Sequence, residues 1–230
     1  MPESGIAIVS ADWRSQFLDG LAPSDRKRIL LAAKPRRIAA NSVITGQGNP
    51  ADHLFLLTHG RARFFFDAQT GQHVILHWLG AGEVIGGMAL LPKPGLYLLS
   101  TEAVKDCSAL VWDRATIRSL VTQYPILLEN ALSTASDYLA WYAAAHVALT
   151  CHSAEQRLAG VLDTLFRSIG RRVPGGLELE VTNEELANTA HITPFTASRL
   201  VSAWQRGGAV KKSRGKLLLR HSSRFLLHRP

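Results

Sequence analysis

The sequence predicts an α+β fold with three parts: a barrel of short β-strands, one long helix, and a C-terminal pair of helices followed by a β-hairpin. Three observations predict it. Short apolar runs separated by glycine turns fill residues 34–112, an apolar stripe in steps of three and four follows Pro125, and two helix starts follow Val181. The expected domain boundaries are residues 1–122, 123–150 and 151–230.

The N-terminal part has the pattern of an all-β barrel or sandwich. Residues 12–34 have the pattern of short amphipathic helices. Beyond them, residues 42–44, 54–57, 62–66 and 74–79 form apolar or alternating runs, each followed by glycine. Short strands with turn signals between them are typical of a closed or two-layered β-structure.

The long helix carries a stripe that fits a coiled-coil seam. Its 26 residues correspond to a length of ~39 Å. The helix could instead pack only on its own barrel, but the stripe is longer than one small barrel end covers, which favours dimerisation. The seam positions are Leu128, Leu132, Ala135, Leu139, Tyr142, His146 and Leu149.

Residues 150–153 interrupt this stripe and are the expected hinge. Ser153 can cap a further helix that carries Leu158, Leu162 and Phe166. A glycine-rich turn at 170–176 and an alternating strand at 177–181 follow.

Two helix starts then follow in close succession. Thr182 and Glu185 form a capping box, and Thr193 followed by Pro194 places a cap and a first-turn proline at the next helix. The turn between them, with small Ala187 where the helices would cross, indicates a helix-turn-helix. An ordinary helix pair is the alternative.

Charge favours the DNA-binding interpretation of that pair. Residues 1–150 hold 13 Lys and Arg against 12 Asp and Glu, whereas residues 151–230 hold 13 against 6. No acidic residue follows Glu185, and the last 45 residues carry nine Lys or Arg. A segment with one sign of charge is the electrostatic footprint of a polyanion-binding surface.

The second helix would enter the major groove, and the following hairpin, which turns near Gly215, would form a basic wing on the phosphates. Phe195 could equally be a core residue; if exposed, it can contact a thymine methyl group, while Arg199 suits guanine. The base-facing candidates are Phe195, Thr196, Ser198 and Arg199. The phosphate-facing candidates are Thr182, Thr193, Lys211, Lys212, Arg214 and Lys216.

The order of these parts resembles the cyclic-AMP receptor protein / fumarate–nitrate regulator (Crp/Fnr) family of bacterial transcription factors. The most specific stretches are residues 52–62, 82–86 and 182–200. The resemblance implies a jelly-roll barrel like a cyclic-nucleotide-binding domain and a homodimer joined through the long helices. It also implies a palindromic double-stranded DNA site and RNA polymerase as a partner.

Two departures from the family pattern matter for function. In the second helix, Ser198 and Arg199 match base-contacting positions, but Pro194 and Phe195 replace the usual Arg and Glu, so the half-site need not follow the family consensus. In the barrel, Gly87 replaces the glutamate that holds the ribose, and no arginine lies between Arg63 and Arg114 to neutralise a cyclic phosphate. We therefore expect an effector other than cyclic AMP.

Other functional classes have weaker support. The N-terminus lacks the features of a signal peptide, and no apolar run is long enough to cross a membrane. Two cysteines, Cys107 and Cys151, fit a reducing cytoplasm and supply neither a disulfide framework nor the ligands of an iron–sulfur cluster. No catalytic triad, phosphate-cradling loop or paired-carboxylate site stands out, so we expect neither an enzyme nor a metal cofactor.

Two alternatives stay open at this point. The first is a haem- or small-ligand-binding sensor that acts mainly through a protein partner. Its axial ligand would be His73, His77 or His146. The second is a barrel metalloenzyme with a metal on His73, His77 and Glu83.

Overall fold

The computed structural model describes residues 13–67, 73–213 and 215–220. The chain divides into two compact units. Of the described residues, the first comprises 13–66 and 79–140, and the second comprises 67, 73–78, 141–213 and 215–220.

The N-terminal strands form two antiparallel four-stranded sheets, which confirms the predicted β-structure. The first sheet has the order β1-β8-β3-β6 and the second has the order β2-β7-β4-β5. The strands are β1 (Lys34–Ile38), β2 (Val43–Thr45), β3 (His53–His59), β4 (Ala62–Asp67), β5 (His73–Leu79), β6 (Val84–Ile85), β7 (Ser100–Ala103) and β8 (Cys107–Asp113).

Strand β3 is apolar on both faces because both are buried. Successive side chains of a strand point to opposite sides. Phe55 and Leu57 therefore join a core cluster with residues of both sheets, such as Val111 of the first and Ala103 of the second. Leu54 and Leu56 join a second cluster, which contains helical residues instead. The continuous apolar run at 54–57 is thus the pattern of a strand between two layers.

Three helices supply that second layer. They are α1 (Pro23–Leu31), α2 (Arg114–Gln123) and α3 (Ile126–Cys151). Short 3-10 turns at Gln16–Leu18 and Gly87–Leu90 complete the layer. Trp112 is fully buried among these elements, and its indole nitrogen donates a hydrogen bond to the Ile29 carbonyl oxygen at 3.0 Å.

Helix α3 begins in the first unit and ends in the second. Its 26 residues match the predicted length, and it ends at Cys151, inside the predicted hinge. Ser153 then caps α4 (Ala154–Ser168) through a capping box with Gln156, as predicted.

The second unit contains three helices and a small sheet. Helices α5 (Asn183–Ala190) and α6 (Pro194–Arg206) follow α4. The strands are β9 (Arg171–Val173), β10 (Gly176–Glu180), β11 (Val210–Ser213) and β12 (Lys216–Leu219), in the order β11-β12-β10-β9. Ser213 pairs with Lys216 in an antiparallel hairpin, which confirms the predicted wing.

Candidate nucleic-acid interface

The turn between α5 and α6 is held by backbone geometry and two capped helix starts. The Thr182 hydroxyl accepts a hydrogen bond from the Glu185 amide at 3.1 Å, and the Glu185 carboxylate accepts one from the Thr182 amide at 2.7 Å. Thr193 caps α6 by accepting from the Thr196 amide at 3.1 Å. Between the two helices, His191 adopts a left-handed conformation with φ 50°. The predicted helix-turn-helix is therefore present, with both predicted caps.

Helix α6 has one buried and one exposed face. Ala197, Leu200 and Val201 are buried. Phe195 is 78% exposed, and Arg199 is exposed on the same side, four residues further on. The alternative that Phe195 belongs to the core is wrong, because the core positions of α6 are filled by the other three residues.

The two hydroxyl side chains of α6 that are candidates for base contact, Thr196 and Ser198, are less accessible than Phe195 and Arg199. The Thr196 hydroxyl lies 2.9 Å from the Thr193 hydroxyl, so both take part in the helix start. Ser198 is half-buried. The Thr182 hydroxyl is likewise used, since it also donates to a Glu185 carboxylate oxygen at 3.0 Å. The three threonine side chains thus order the helix starts, while Phe195 and Arg199 extend into solvent.

The wing cations lie in different surroundings. Lys211 is exposed and Lys212 is half-buried. Lys216 instead forms ion pairs with Glu178 at 3.2 Å and Glu180 at 3.5 Å. Arg214 lies outside the described residues.

Glu178 also holds a second cation, the Arg171 guanidinium, at 2.8 Å. Hydrogen bonds from Arg171 and from Lys216 keep the pKa of the Glu178 carboxyl below its usual range. No sequence pattern indicates this pairing in the wing, because Lys216 meets Glu178 and Glu180 only through the pairing of β10 with β12.

The predicted seam positions of α3 are mostly uncovered. Leu128, Leu132, Leu139 and Leu149 are 38%, 69%, 71% and 43% exposed. Ala135 and His146 are exposed as well. Tyr142 is half-buried against the Trp141 ring, and this burial raises the pKa of its phenol.

In the first unit, α3 packs against the N-terminal segment and the barrel through a different face. Asn130 donates hydrogen bonds to the carbonyl oxygens of Phe17 and Asp19, and the Tyr138 ring lies edge-on to Phe64. The stripe with Leu132 and Leu139 is therefore not the face that packs on the barrel.

The barrel segment at 97–102 has its polar groups satisfied within the protein. The Tyr97 hydroxyl donates to the His53 carbonyl oxygen at 3.0 Å and accepts from the His53 amide at 3.2 Å. Burial raises the pKa of this phenol. Thr101 is fully buried and its hydroxyl bonds that of Thr45 at 2.8 Å, while Glu102 is ion-paired with Arg63.

The candidates for haem or metal binding have separate surroundings where the structure describes their side chains. Within the described residues, no group of three His, Cys, Asp or Glu side chains is placed to hold a metal ion. The His77 ring packs edge-on against Trp141 at 5.2 Å, and His146 is exposed on α3. Glu83 accepts hydrogen bonds from the Gly80 amide and the Tyr138 hydroxyl. The side chain of His73 lies outside the described part of the chain.

Arg157 on α4 is a functional candidate that sequence reasoning missed. Its guanidinium donates to three backbone carbonyl oxygens, two at the end of α5 and one in the hinge: Ala190 at 3.0 Å, His191 at 3.3 Å and His152 at 2.9 Å. No spacing or motif in the sequence marks this role, because the partners are backbone atoms more than 30 residues away in two of the three cases.

No helix within the described ranges is both long and apolar enough to span a bilayer.

Similarity to known families covers one N-terminal and one C-terminal stretch of the chain. Residues 35–124 match the cyclic nucleotide-binding domain, and residues 156–224 match the Crp-like helix-turn-helix domain. The cyclic AMP receptor protein of Thermus thermophilus is 27% identical over 209 residues, which is 91% of this chain and 94% of that protein.

Solved structures share the fold at lower identity. FixK2 from Bradyrhizobium japonicum superposes with a TM-score of 0.74 at 19% identity, covering 85% of this chain and 96% of that one. The c-di-GMP responsive regulator CLP of Xanthomonas campestris gives a TM-score of 0.73 at 18% identity, covering 87% and 100%. With both domains matched in order, the chain belongs to the Crp/Fnr family of DNA-binding transcription regulators, a family without enzymatic activity.

Proposed function

We propose that this regulator binds a palindromic DNA site as a homodimer, with α6 of each copy in the major groove, and that its effector is not cyclic AMP. The observation that carries the DNA proposal is the exposed face of α6. Phe195 and Arg199 project from a helix whose start is fixed by Thr193 and Pro194, in a segment that holds no acidic residue. Contact with RNA polymerase, which the family implies, stays a prediction.

Arg199 is suited to base recognition. It is exposed, and among the described residues it forms no hydrogen bond or ion pair. A free guanidinium can donate two parallel hydrogen bonds to O6 and N7 of guanine, the commonest specific contact in the major groove. Since the helix enters the groove with its N-terminal part, the exposed side at 195–199 is the part that reaches the bases.

The wing supplies contacts of another kind. Lys211 and Lys212 lie on β11, which follows α6 in the chain, and can approach backbone phosphates. Such contacts contribute affinity and salt dependence but little sequence choice. Lys216 contributes less in our proposal, because Glu178 and Glu180 already neutralise it.

The homodimer is supported by the uncovered leucines of α3. Leu132 and Leu139 are seven residues apart. In the single chain Leu132 is 69% exposed and Leu139 is 71% exposed. Burying such side chains against a second copy stabilises the pair by ~1.5–3 kcal/mol for each leucine. Members of this family are dimers, and two copies related by a twofold axis match a palindromic site.

The effector proposal rests on the segment that follows Gly86. A cyclic phosphate needs a cation in an apolar pocket. Arg63 is already paired with Glu102, and the buried Tyr97 places its hydroxyl on the backbone of His53. Gly87 carries no side chain that could hold a ribose.

The test of DNA binding uses duplexes selected from a random library by the full-length protein. We expect palindromic sequences, and we expect Arg199→Ala to weaken binding by ~1–3 kcal/mol for each lost base contact and to relax the choice at one base pair. Arg206→Ala, at the other end of the same helix, is the matched control and should leave the selected sequence unchanged. Wild-type protein that selects no common sequence would refute the proposal.

A further inference from the structure

Phe195 is the most exposed large hydrophobic side chain in the described part of the chain, at 78%. It does not hold the fold together, because Ala197, Leu200 and Val201 supply the buried face of α6. On a helix that faces DNA in the proposed function, an exposed aromatic ring is available for contact with the bases. The partner that α6 is built to meet is the major groove of DNA.

The position of the ring relative to Arg199 restricts what it can meet there. Four residues along a helix correspond to about 6 Å of rise, whereas successive base pairs are about 3.4 Å apart. Both side chains lie on the same exposed face. If Arg199 grips a guanine, Phe195 therefore lies over a base pair one or two steps away.

The chemistry of the groove then selects the base. A phenyl ring has no hydrogen-bond donor or acceptor, so it cannot read the polar edges of guanine, cytosine or adenine. The C5-methyl group of thymine is the apolar group that the major groove displays. Ser198 lies between Phe195 and Arg199 in sequence but is half-buried, so it does not offer a competing polar contact at the same depth.

We infer that Phe195 is a specificity-determining residue that reads the methyl group of a thymine one or two base pairs from the guanine bound by Arg199. This inference rests on the proposed DNA-binding function and narrows it to a half-site that contains both bases. Ring insertion between base pairs and contact with a protein partner are different roles for the same side chain, and the experiment separates them from methyl recognition.

The experiment removes only the methyl group. Each thymine of the selected duplex is replaced in turn by deoxyuridine, in both half-sites together, and the dissociation constant of the full-length wild-type protein is measured. Loss of one buried methyl group corresponds to about fourfold weaker binding in each half-site, hence about sixteenfold for the duplex. We expect this loss at one thymine position per half-site and little change at the others.

The protein variants complete a double-mutant cycle. Phe195→Ala should bind thymine and deoxyuridine duplexes equally, and Phe195→Leu, which keeps an apolar side chain, should recover part of the discrimination. Because the ring is exposed, neither variant removes a core contact. The inference is overturned if deoxyuridine has no effect at any position, or if Phe195→Ala still discriminates as the wild type does. If Phe195 inserts between base pairs or contacts a protein, the preference for thymine over deoxyuridine should be the same in the wild type and in Phe195→Ala.

Failure of this inference differs from failure of the proposed function. If the wild type selects a palindrome and Arg199→Ala weakens binding, but no thymine methyl group matters, only the role of Phe195 is wrong. If no sequence is selected at all, the proposed function is wrong as well.

Discussion

The Nε atom of Arg157 donates a hydrogen bond to the carbonyl oxygen of Ala190, 3.0 Å away at the end of α5. The same guanidinium reaches the carbonyl oxygens of His191 and, through its other terminal nitrogen, His152. The last carbonyl groups of a helix lack partners within the helix and carry partial negative charge. One cation on α4 therefore binds backbone carbonyl groups of both the hinge and the turn that leads into α6.

Arg157→Met should destabilise the protein by ~1–3 kcal/mol, because the charged donor is lost and its partner carbonyl groups are left without it. Urea unfolding followed by tryptophan fluorescence measures the change. Arg167→Met is the matched control on the same helix. Arg167 is 60% exposed and, among the described residues, pairs only with Asp163 at i,i+4, so its loss should cost less than ~0.5 kcal/mol. Equal costs for the two variants would contradict the role assigned to Arg157.

The α3 seam predicts that Leu132→Asp combined with Leu139→Asp gives monomers, since two carboxylates would have to be buried at the interface. Sedimentation velocity measures the oligomeric state. The control is Ser133→Asp combined with Ala140→Asp, which places the same charges with the same spacing one residue further along. These exposed positions lie about 100° around the helix from the leucines. The hydrogen bond that Ser133 accepts from Gln16 can pass to the aspartate, so the dimer should stay intact. A dimer that survives the leucine changes would locate the interface elsewhere.

Cyclic AMP at millimolar concentration should change neither the melting temperature nor the affinity for the selected duplex. A ligand that binds only the native state raises stability by about 2.7 kcal/mol at a hundredfold excess over its dissociation constant. We expect no such rise, because Arg63 is paired with Glu102 and the sequence holds no further arginine before Arg114. The noncyclic nucleotide 5′-AMP serves as the control, and stabilisation by cyclic AMP alone would show that the barrel binds it by other residues.

His191 makes stability depend on pH. Partial desolvation, and to a smaller extent the charge of Arg157, lowers the pKa of its imidazole below the ordinary value of 6.5. The unfolded chain therefore binds this proton more readily than the folded one. The corresponding stability is fully present above about pH 6.5 and is lost as the pH falls toward the lowered value.

His191→Asn should reduce that loss, because asparagine tolerates the left-handed conformation and does not titrate. Urea unfolding at several pH values between about 5 and 8 measures the difference between variant and wild type. Since the other histidines are common to both proteins, their contribution cancels. Parallel stability curves for the two proteins would rule out the assignment to His191.

Local patterns predicted much of the fold. The apolar run at 54–57, the caps at Thr182 and Thr193 and the length of α3 are each set by neighbours within a few residues, so the sequence displays them directly. The Tyr97 hydroxyl on the His53 backbone and the three hydrogen bonds of Arg157 could not be predicted, since backbone carbonyl groups carry no residue identity.

The candidate site likewise has features that the sequence predicts and features that only the folded structure decides. Phe195 and Arg199 were identified from helix position and residue type, but only the packing of Ala197, Leu200 and Val201 decides that the phenyl ring faces solvent. Lys216 has the same charge as Lys211, and the sequence does not distinguish them. Their difference follows from strand register, which places Lys216 opposite Glu180.

The hydroxyl caps of α4, α5 and α6 have a consequence for the kinetics of association. Ser153, Thr182 and Thr193 each satisfy the first amides of their helix from within the chain, so the three helices begin at defined residues before any partner arrives. A surface formed in advance loses little conformational entropy on binding. Diffusion and the steering field of the basic residues, rather than folding of the helix-turn-helix, should then limit how fast this protein finds its site.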